Sequence, residues 1–325
     1  MGYDFHVTAS GPKLIEVNTN AGGAFLNATL ARAHRACCAE AHLPFDISPP
    51  QDFASKIANM FIEEWRSQRA VGRPTTIAIV DDAPYEQYLI PEFRLAKSLL
   101  EAHGFEAVIA DANELLFDGK ALLFQGRPID LVYNRLVDFA LEEPQHAALQ
   151  AAYVGGNVVV TPNPRAHALF ADKRNLTLLS DSVRLTCWGL AQNHLDVLRA
   201  TVPKTVIVSS DNADALWQDR RNQFFKPAGG HGSKAAYRGD KVTRKVWAAI
   251  TGREYVAQSY AAPGRRNVQL GEGRAELKVD VRLYTYAGVI LLVAARLYQG
   301  QTTNMRTPGG GFAPVLEVHT PRSGS

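Results

Sequence analysis

Residues 75 to 160 alternate between strand-like and helix-like stretches, and this alternation restricts the fold more than any other feature of the chain. Strands that alternate with helices of this length form strand–helix–strand units, which give a parallel sheet of Rossmann-like topology. No G-x-G-x-x-G sequence follows the first strand, so a dinucleotide-binding function has little support. The predicted elements are strand 77–80, helix 86–103, strands 106–110 and 129–133, helix 143–153 and strand 158–160.

Segments of a different character flank this alternating region. Before it, two short strand-like runs surround a turn-rich stretch and predict a hairpin, and two helical patterns follow. After it the pattern is mixed, and its last two strands are long with a turn-type link, which predicts an antiparallel sheet. The predicted elements are strands 3–7 and 14–18, helices 24–42, 51–69 and 165–180, strands 205–209 and 224–226, helix 241–250, and strands 254–258, 275–286 and 289–298. The predicted domains are residues 1–72, 73–164 and 165–325.

Composition and charge exclude several classes of protein. With 46% hydrophobic and 21% charged residues among 325, the chain can bury a core in two or three domains. The longest apolar stretch, near residues 287–295, is too short to span a bilayer, so no membrane partner is predicted. Three cysteines without metal-ligand spacing fit a cytoplasmic protein with free thiols. The net charge of +3 includes no concentrated basic run, so no nucleic-acid partner is predicted, whereas an anionic small molecule is compatible.

The predicted hairpin carries a group of metal-ligand residues. Glu16, Asn18 and Asn20 occupy alternate positions of its second strand, so their side chains share one face. Asp4, on the first strand, faces this group if the turn sets the register within a residue. Carboxylate and amide oxygens on a rigid hairpin suit Mg²⁺. A solvated polar face is the alternative, but asparagine is a poor strand former and its repetition here favours a functional role.

A second group follows the strand at 224–226, where Lys226 leads into a loop with Gly229, Gly230 and Gly232. Glycines allow backbone N–H groups to approach phosphate oxygens closely, and the lysine adds a fixed cation. The spacing is not that of a Walker P-loop. A flexible hairpin turn is the alternative interpretation.

A third group lies on the last two predicted strands. Asp280 and Arg282 share one face of the first, Arg296 lies on the next, and residues 301–306 lead into a triple glycine. Arginines at a sheet edge offer fork-shaped donors to phosphate or carboxylate oxygens. Cross-strand ion pairs are the alternative for any one of these arginines.

Taken together, these motifs resemble the ATP-grasp superfamily over most of the chain. Residues 171–174 are similar to the lysine-bearing entry to the nucleotide site, 225–233 to the lysine and phosphate-covering loop, and 256–260 to the hinge whose backbone holds adenine. Residues 280–282 resemble the phosphate-side arginine motif, 304–306 with 309–311 the substrate-side loop, and 16–23 with Asp4 the metal-binding hairpin.

The hairpin comes first here, whereas in a usual member it comes last. This order resembles the circularly permuted ATP-grasp proteins, which include relatives of glutathionylspermidine synthase and glutathione synthetase and many uncharacterised bacterial proteins. The resemblance implies an α/β fold with α+β elements, namely a permuted ATP-grasp domain with a Rossmann-like flanking domain. In the family a helix precedes the strand that contains Asp4, and here only three residues do. The chain is therefore either truncated or built without that helix. The hairpin is expected either to be loosely held or to be completed by a second chain in a homodimer.

The resemblance also implies the chemistry of a carboxylate–amine ligase that uses ATP and Mg²⁺ and proceeds through an acyl-phosphate. Its partners are small-molecule carboxylate and amine substrates, which the resemblance does not identify. A kinase on the same scaffold and a nucleotide-binding module without turnover are the alternatives. The implied catalytic residues are Arg282, Arg296, Asn304 and Arg306; the metal ligands are Asp4, Glu16 and Asn18; the nucleotide-binding residues are Lys173, Lys226, Gly229, Gly230, Gly232, Ser233, Gln258, Ser259 and Tyr260.

This interpretation makes a spatial prediction, because a shared triphosphate site requires residues 3–18 to meet the loop at 226–234. We therefore expect the hairpin to join the sheet built from residues 275–298. The predicted cleft is lined by Asp4, Glu16, Asn18, Asp280, Arg282 and Arg296. The Rossmann-like segment is expected to flank it and to present Arg135, at the carboxyl end of a strand, to the substrate. A structural salt bridge is the alternative for that arginine.

Overall fold

The computed structural model describes residues 1–37, 50–229, 235–271, 273–304 and 307–315. The strands are β1 (Gly2–Thr8), β2 (Gly11–Asn18), β3 (Thr76–Asp81), β4 (Glu106–Asp111), β5 (Leu115–Phe117), β6 (Leu122–Phe124), β7 (Arg127–Ile129), β8 (Leu131–Asn134), β9 (Val159–Thr161), β10 (Thr205–Ile207), β11 (Gln223–Pro227), β12 (Tyr237–Arg238), β13 (Tyr255–Ser259), β14 (Gly264–Leu270), β15 (Gly273–Tyr286), β16 (Val289–Tyr298) and β17 (Gly311–Pro314).

The helices occupy all three predicted domains. They are α1 (Ala24–Cys37), α2 (Pro50–Arg66), α3 (Ile90–Ala102), α4 (Ala147–Val154), α5 (Pro164–Phe170), α6 (Asn175–Leu179), α7 (Ser182–Cys187), α8 (Gln192–Thr201), α9 (Ala213–Gln218) and α10 (Arg244–Thr251). Within the described ranges, no helix combines the length and the apolar character needed to cross a bilayer.

The hairpin of β1 and β2 completes an antiparallel sheet with the order β17-β16-β15-β1-β2, in which β14 also pairs with β15. One edge of β15 serves both partners, because residues 273–279 pair with β14 and residues 281–284 pair with β1. Asp4 lies opposite Arg282 on one side and opposite Glu16 on the other. The sequence prediction that the hairpin joins this sheet is therefore confirmed.

The alternating region forms a parallel sheet with the order β4-β3-β8-β9. Its strands are buried on both faces, as the apolar runs predict. On one face α1, α2 and α3 contribute Phe25, Phe61 and Phe93 to a core that also includes Leu292 of β16. On the other face Leu149 of α4 packs with Val80. The Rossmann-like part of the predicted α/β fold is confirmed, and a shared core joins it to the large sheet.

A four-stranded antiparallel sheet with the order β10-β13-β11-β12 lies beside the hairpin in the last third of the chain. Phe225 and Ile250 are fully buried in its core with Trp247 of α10. Because β11 and β13 are neighbours, the strand that ends at the glycine loop lies next to the predicted hinge. This sheet and the large sheet form the two walls of the candidate site.

Several sequence predictions of elements are wrong. The helix predicted over 165–180 is two helices, α5 and α6, because residues 171–174 leave the helical path and the backbone N–H of Lys173 donates to the Ala228 carbonyl (3.0 Å). The helix predicted from residue 86 begins at Ile90. Sequence reasoning missed β14, the small sheet of β5, β6 and β7, and helices α7, α8 and α9. Residues 38–42 of the first predicted helix lie outside the described residues.

Candidate functional site

The hairpin and the four-stranded sheet enclose a cavity of about 80 Å³, here called the lysine cavity. Its lining comes from β1, β2, β11, β13 and β16, together with residues that follow β13 and β16. Charged and polar groups from distant parts of the sequence converge in it. The lining residues are Asp4, His6, Ile15, Glu16, Lys173, Phe224, Lys226, Pro227, Ala236, Gln258, Ser259, Tyr260, Ala261, Arg296, Tyr298, Gln301, Thr302 and Thr303.

Lys226 is the buried cation of the lysine cavity. Its Nζ donates to the backbone carbonyl of Ile15 in the hairpin and to Oε1 of Gln258 on β13 (2.8 Å). Burial lowers the pKa of the Lys226 ammonium to about 8. Both hydrogen-bond acceptors are neutral, so this cation is held in place but not neutralised by them.

Lys173 enters the lysine cavity from the break between α5 and α6. Its Nζ lies 3.7 Å from Oε1 of Glu16, and its side chain is 10% exposed. The backbone bond to Ala228 fixes this segment to the residue after β11. Two lysines from segments more than 50 residues apart therefore line the same cavity beside Glu16.

A buried network of carboxylates and guanidiniums forms the floor of the lysine cavity. Asp4 accepts hydrogen bonds from Arg282 (Nε 2.5 Å, NH2 2.7 Å) and lies 2.8 Å from NH2 of Arg296. Arg296 also donates to Asp280 (2.6 Å), which accepts a second bond from Thr303 (2.6 Å). Burial alone would raise the pKa of Asp4, but the two guanidiniums hold it below its usual value.

Only some of the charged residues predicted from the sequence to line the cleft face the lysine cavity. Asp4 and Arg296 line the lysine cavity. Asp280 and Arg282 line neither this cavity nor the second cavity described below. Asp280 is fully buried and Arg282 is 8% exposed. Both therefore act on the cavity mainly through Asp4 and Arg296.

The hairpin offers oxygen ligands that suit Mg²⁺. Glu16 and Asn18 alternate on β2 and line one cavity. Nδ2 of Asn18 donates to Asp4 (3.1 Å), which leaves its Oδ1 as a ligand atom. Glu16 and Asn18 thus fit a hard cation. Asp4 fits less directly, because both of its oxygens already accept from guanidiniums and a metal would compete with them.

The predicted hinge lies where the sequence places it, along β13 and the residues that follow. The side chain of Gln258 is 2% exposed, bonds Lys226 and donates to the Leu14 carbonyl (3.4 Å). The N–H groups of Ser259 and Tyr260 donate to the carbonyls of Lys204 and Asn222 (2.8 Å each). The backbone N–H groups of these two residues therefore already have hydrogen-bond acceptors. An adenine base would bond other backbone groups of the hinge.

A second cavity of about 500 Å³, here called the arginine cavity, opens toward the parallel sheet. It shares Glu16, Lys173 and Thr303 with the lysine cavity, so the two are contiguous. The lining residues are Glu16, Val17, Asn18, Thr19, Asn20, Gly22, Asp81, Gln87, Tyr88, Leu89, Phe93, Arg135, Val137, Phe139, His167, Ala171, Lys173, Thr303 and Asn304. The predicted substrate-side residue Asn304 and the strand-end residue Arg135 both lie here.

Some predicted site residues lie outside the described residues, namely Gly230, Gly232, Ser233 and Arg306. Gly229 is described, and a Cβ added there would meet no atom within 4 Å. The start of the glycine loop is thus open at this position.

Sequence reasoning missed two residues of the site. His6 lies two positions after Asp4 on β1; its Nδ1 donates to the Ala261 carbonyl (2.6 Å), and Tyr298 OH donates to its Nε2 (3.3 Å). The two-residue period that placed Glu16 beside Asn18 also places His6 with Asp4, so the signal was available. Asp81 ends β3 and lines the arginine cavity. Its position at the carboxyl end of a parallel strand was the available signal.

Solved structures that match the chain support an ATP-grasp-related fold. A glutathione synthetase-like effector from Globodera pallida matches at 15% identity and a TM-score of 0.57, over 91% of this chain and 67% of that one. A putative gamma-glutamylcysteine synthetase from Methylobacillus flagellatus KT matches at 11% identity and a TM-score of 0.59, over 100% and 81%. An ATP-grasp ligase complexed with a minimal precursor overlaps less closely, with 14% identity and a TM-score of 0.38 over 69% and 75%. No protein-family model and no curated protein matches the chain.

Proposed function

We propose that this protein is an ATP-dependent ligase that joins a carboxylate to an amine through an acyl-phosphate. The observation that carries the proposal is the convergence of Lys173, Lys226 and Glu16 in one cavity built by the hairpin and by strands more than 200 residues away. Two buried or half-buried cations beside a carboxylate suit a nucleotide phosphate chain with its metal. The ATP-grasp-related fold supports the same class.

In this proposal the lysine cavity holds the nucleotide. Lys226 and Lys173 neutralise phosphate oxygens, and Arg296 and the glycine loop contribute further donors. Glu16 and Asn18 hold Mg²⁺, which supplies charge neutralisation at the phosphates when it is bound. The hinge after β13 contacts the base.

The arginine cavity then holds the substrate carboxylate beside the phosphates. One carboxylate oxygen attacks the γ-phosphorus, the bond from that phosphorus to the bridging oxygen breaks, and ADP leaves. The amine nitrogen attacks the acyl carbon, the C–N bond forms, the C–O bond to phosphate breaks, and phosphate leaves while the nitrogen loses a proton. In this proposal Asn304, which lines the arginine cavity, donates to the oxyanion that forms between these steps. The cytoplasmic location, the homodimer and the three domain boundaries remain predictions.

The test is ADP release from ATP and Mg²⁺ against a panel of amino acids, polyamines and short peptides, with mass spectrometry of the products. A ligase releases ADP only when a carboxylate and an amine are both present, and it yields the amide. Release that needs no amine would instead indicate a kinase on the same scaffold. Nucleotide binding without ADP release for any pair would contradict the proposal and indicate a binding module.

A hydroxylamine trap tests the intermediate separately. Hydroxylamine added with ATP, Mg²⁺ and the active carboxylate is expected to give the hydroxamate, because it intercepts an activated acyl group. Amide formation without any hydroxamate would contradict the acyl-phosphate step.

A further inference from the structure

The inner wall of the arginine cavity carries two opposite charges at neighbouring strand ends. In the parallel pair β3 and β8, Val80 lies opposite Asn134, so Asp81 and Arg135 are the next residues of the two chains. The backbone N–H of Arg135 donates to the Val80 carbonyl (2.8 Å), which extends the pairing by one residue. Both side chains line the cavity.

The positive charge of Arg135 is buried, and among the described residues no carboxylate is in direct contact with it. Its side chain donates to Asn20 Oδ1 and to Tyr133 OH (3.4 Å), both neutral groups. Across the described ranges of the chain no carboxylate forms an ion pair with it, and its Nε lacks a hydrogen-bond partner. The residue is only 8% exposed. Asp81 and Glu92 lie near enough to interact with this charge electrostatically, but neither is in direct contact with it. An anionic ligand would make that direct contact.

Asp81 supplies the complementary charge. The residue is 9% exposed, and its Oδ1 accepts a hydrogen bond from the Asp82 backbone (2.9 Å). Burial raises the pKa of this carboxyl to about 6, although the Asp82 N–H and Arg135 partly oppose the shift. At neutral pH it is mostly ionised at an energetic cost, which a bound ammonium group would reduce.

The same cavity also reaches the candidate phosphate site. Glu16, Asn18 and Lys173 line it there, and Glu16 and Lys173 also face the lysine cavity. A ligand anchored at Arg135 and Asp81 can therefore extend toward the nucleotide. A volume of about 500 Å³ accommodates a molecule the size of an amino acid or a short peptide.

We propose that the arginine cavity binds an α-amino acid that carries a second carboxylate. Arg135 takes the α-carboxylate, Asp81 takes the α-ammonium, and the side-chain carboxylate reaches the Lys173 end, where it is activated. Arg135 and Asp81 are thus specificity-determining residues. The assignment of the reacting end rests on the proposed ligase function, whereas the binding of the head group does not.

Calorimetry of the full chain with four probes tests the head group. L-Glutamate and L-aspartate carry all three charged groups, glutarate lacks the ammonium, and 4-aminobutyrate lacks the α-carboxylate. At least one of the two amino acids is expected to bind about tenfold or more tightly than glutarate and 4-aminobutyrate, because each missing group removes a charge-assisted contact. Equal binding of all four probes, or binding of none, would overturn the proposal.

Variants identify the groups responsible. Arg135→Gln is expected to weaken amino-acid binding about tenfold or more, and Asp81→Asn to remove the preference for glutamate over glutarate. Arg127→Gln, on the exposed strand β7, is the matched control and should bind normally. Unchanged binding in Arg135→Gln would overturn the assignment.

The two proposals fail separately. Tight, Arg135-dependent binding of an acidic amino acid without ADP release would retain the head-group site and contradict the ligase. ADP release with carboxylates that lack the head group, unchanged in Arg135→Gln, would retain the ligase and contradict the head-group site.

Discussion

Lys226 is buried, its pKa is lowered, and its ammonium group connects the hairpin to the four-stranded sheet. Its ammonium bonds the hairpin carbonyl of Ile15 and the side chain of Gln258, so it is oriented before any nucleotide binds. A fixed lysine beside phosphates is worth about 1.5–3 kcal/mol. Lys226→Ala is therefore expected to weaken ATP binding about tenfold or more, as measured by calorimetry.

Lys245→Ala is the matched control for this prediction, because Lys245 is exposed on α10. It should leave the dissociation constant for ATP unchanged. Equal losses in the two variants would mean that Lys226 contributes only to the overall charge of the molecule.

The candidate metal ligands make a second prediction at this scale. Glu16→Gln and Asn18→Ala are each expected to reduce Mg²⁺-dependent ATP turnover about 100-fold or more, because each removes one hard oxygen ligand. Both residues are partly exposed, so the melting temperature should change little. ADP release and thermal unfolding of the same samples measure the two effects. Undiminished turnover in both variants would refute the metal assignment.

The sequence was sufficient to propose residue types and motifs, but it could not assign their partners. Lys173, Lys226 and Glu16 do meet in one cavity, as a shared phosphate site requires. By contrast, the two hydrogen bonds that Arg282 donates to Asp4 depend on the register between strands from opposite ends of the sequence. An arginine motif in the sequence shows that a hydrogen-bond donor is present. Tertiary packing decides which carboxylate accepts its hydrogen bond.

Among the elements, α3 and α1 are joined by an unusual cap. The carboxylate of Glu92, on α3, accepts hydrogen bonds from the backbone N–H groups of Gly23 (3.0 Å), Phe25 (3.2 Å) and Leu26 (2.9 Å). These are orphan donors at the start of α1, directly after the hairpin. Glu92 thus anchors the hairpin segment to the Rossmann-like region.

Removal of this cap should be costly. Glu92→Ala leaves two buried N–H groups and one partly buried N–H group without their acceptor, so the free energy of unfolding is expected to fall by about 2–4 kcal/mol in urea titrations. Glu101→Ala, on the exposed side of the same helix, removes only a surface pair with Lys97 and should cost under about 1 kcal/mol. Equal losses would show that Glu92 is an ordinary helix residue.

A second buried contact joins the loops at the carboxyl ends of the parallel strands. The fully buried ring of His146 bonds Asp82 through Nε2 (2.8 Å) and Asp138 through Nδ1 (2.7 Å). Burial alone would lower the pKa of His146, but the two carboxylates raise it above 6.5. Asp82, Glu143 and His146 form a group of possible metal ligands, yet both ring nitrogens of His146 already face carboxylates.

The raised pKa sets the sign of a pH effect on stability. The stabilisation from protonated His146 is fully present below the unfolded-state pKa of about 6.5, and it is lost as the pH rises through the higher folded-state value. The difference in the free energy of unfolding between the parent and His146→Gln is therefore expected to be larger at pH 6 than at pH 9. A pH-independent difference in urea titrations would contradict this prediction.

The longest strands are predicted from the sequence, whereas several of the shortest are not. The long strands β15 and β16 and the βαβ alternation carry enough residues for their period to be recognised. Strands β5, β6 and β7 have three residues each, which is too few to show a period. The break between α5 and α6 depends on a tertiary hydrogen bond to Ala228, so a local pattern could not predict it.

At the scale of the whole molecule, the first and last parts of the chain share one sheet, and the Rossmann-like region packs against it through a common core. The motif order alone suggested that the hairpin and the C-terminal sheet meet, and the structure shows the pairing. The arrangement of the two cavities could not be predicted, because it depends on how three sheets are oriented. Their contiguity through Glu16, Lys173 and Thr303 exists only in the assembled fold.

The pairing of β1 with β15 also has a consequence for biosynthesis. Asp4 is synthesised before its partner Arg282, which is added 278 residues later. At about 5–20 residues per second, the hairpin waits on the order of 14–56 seconds for the strand that it pairs with. Throughout this delay the nascent chain carries an unpaired strand edge, which is prone to misassociation. The Rossmann-like region can fold in the meantime, so the nucleotide site is expected to be among the last parts of the molecule to form.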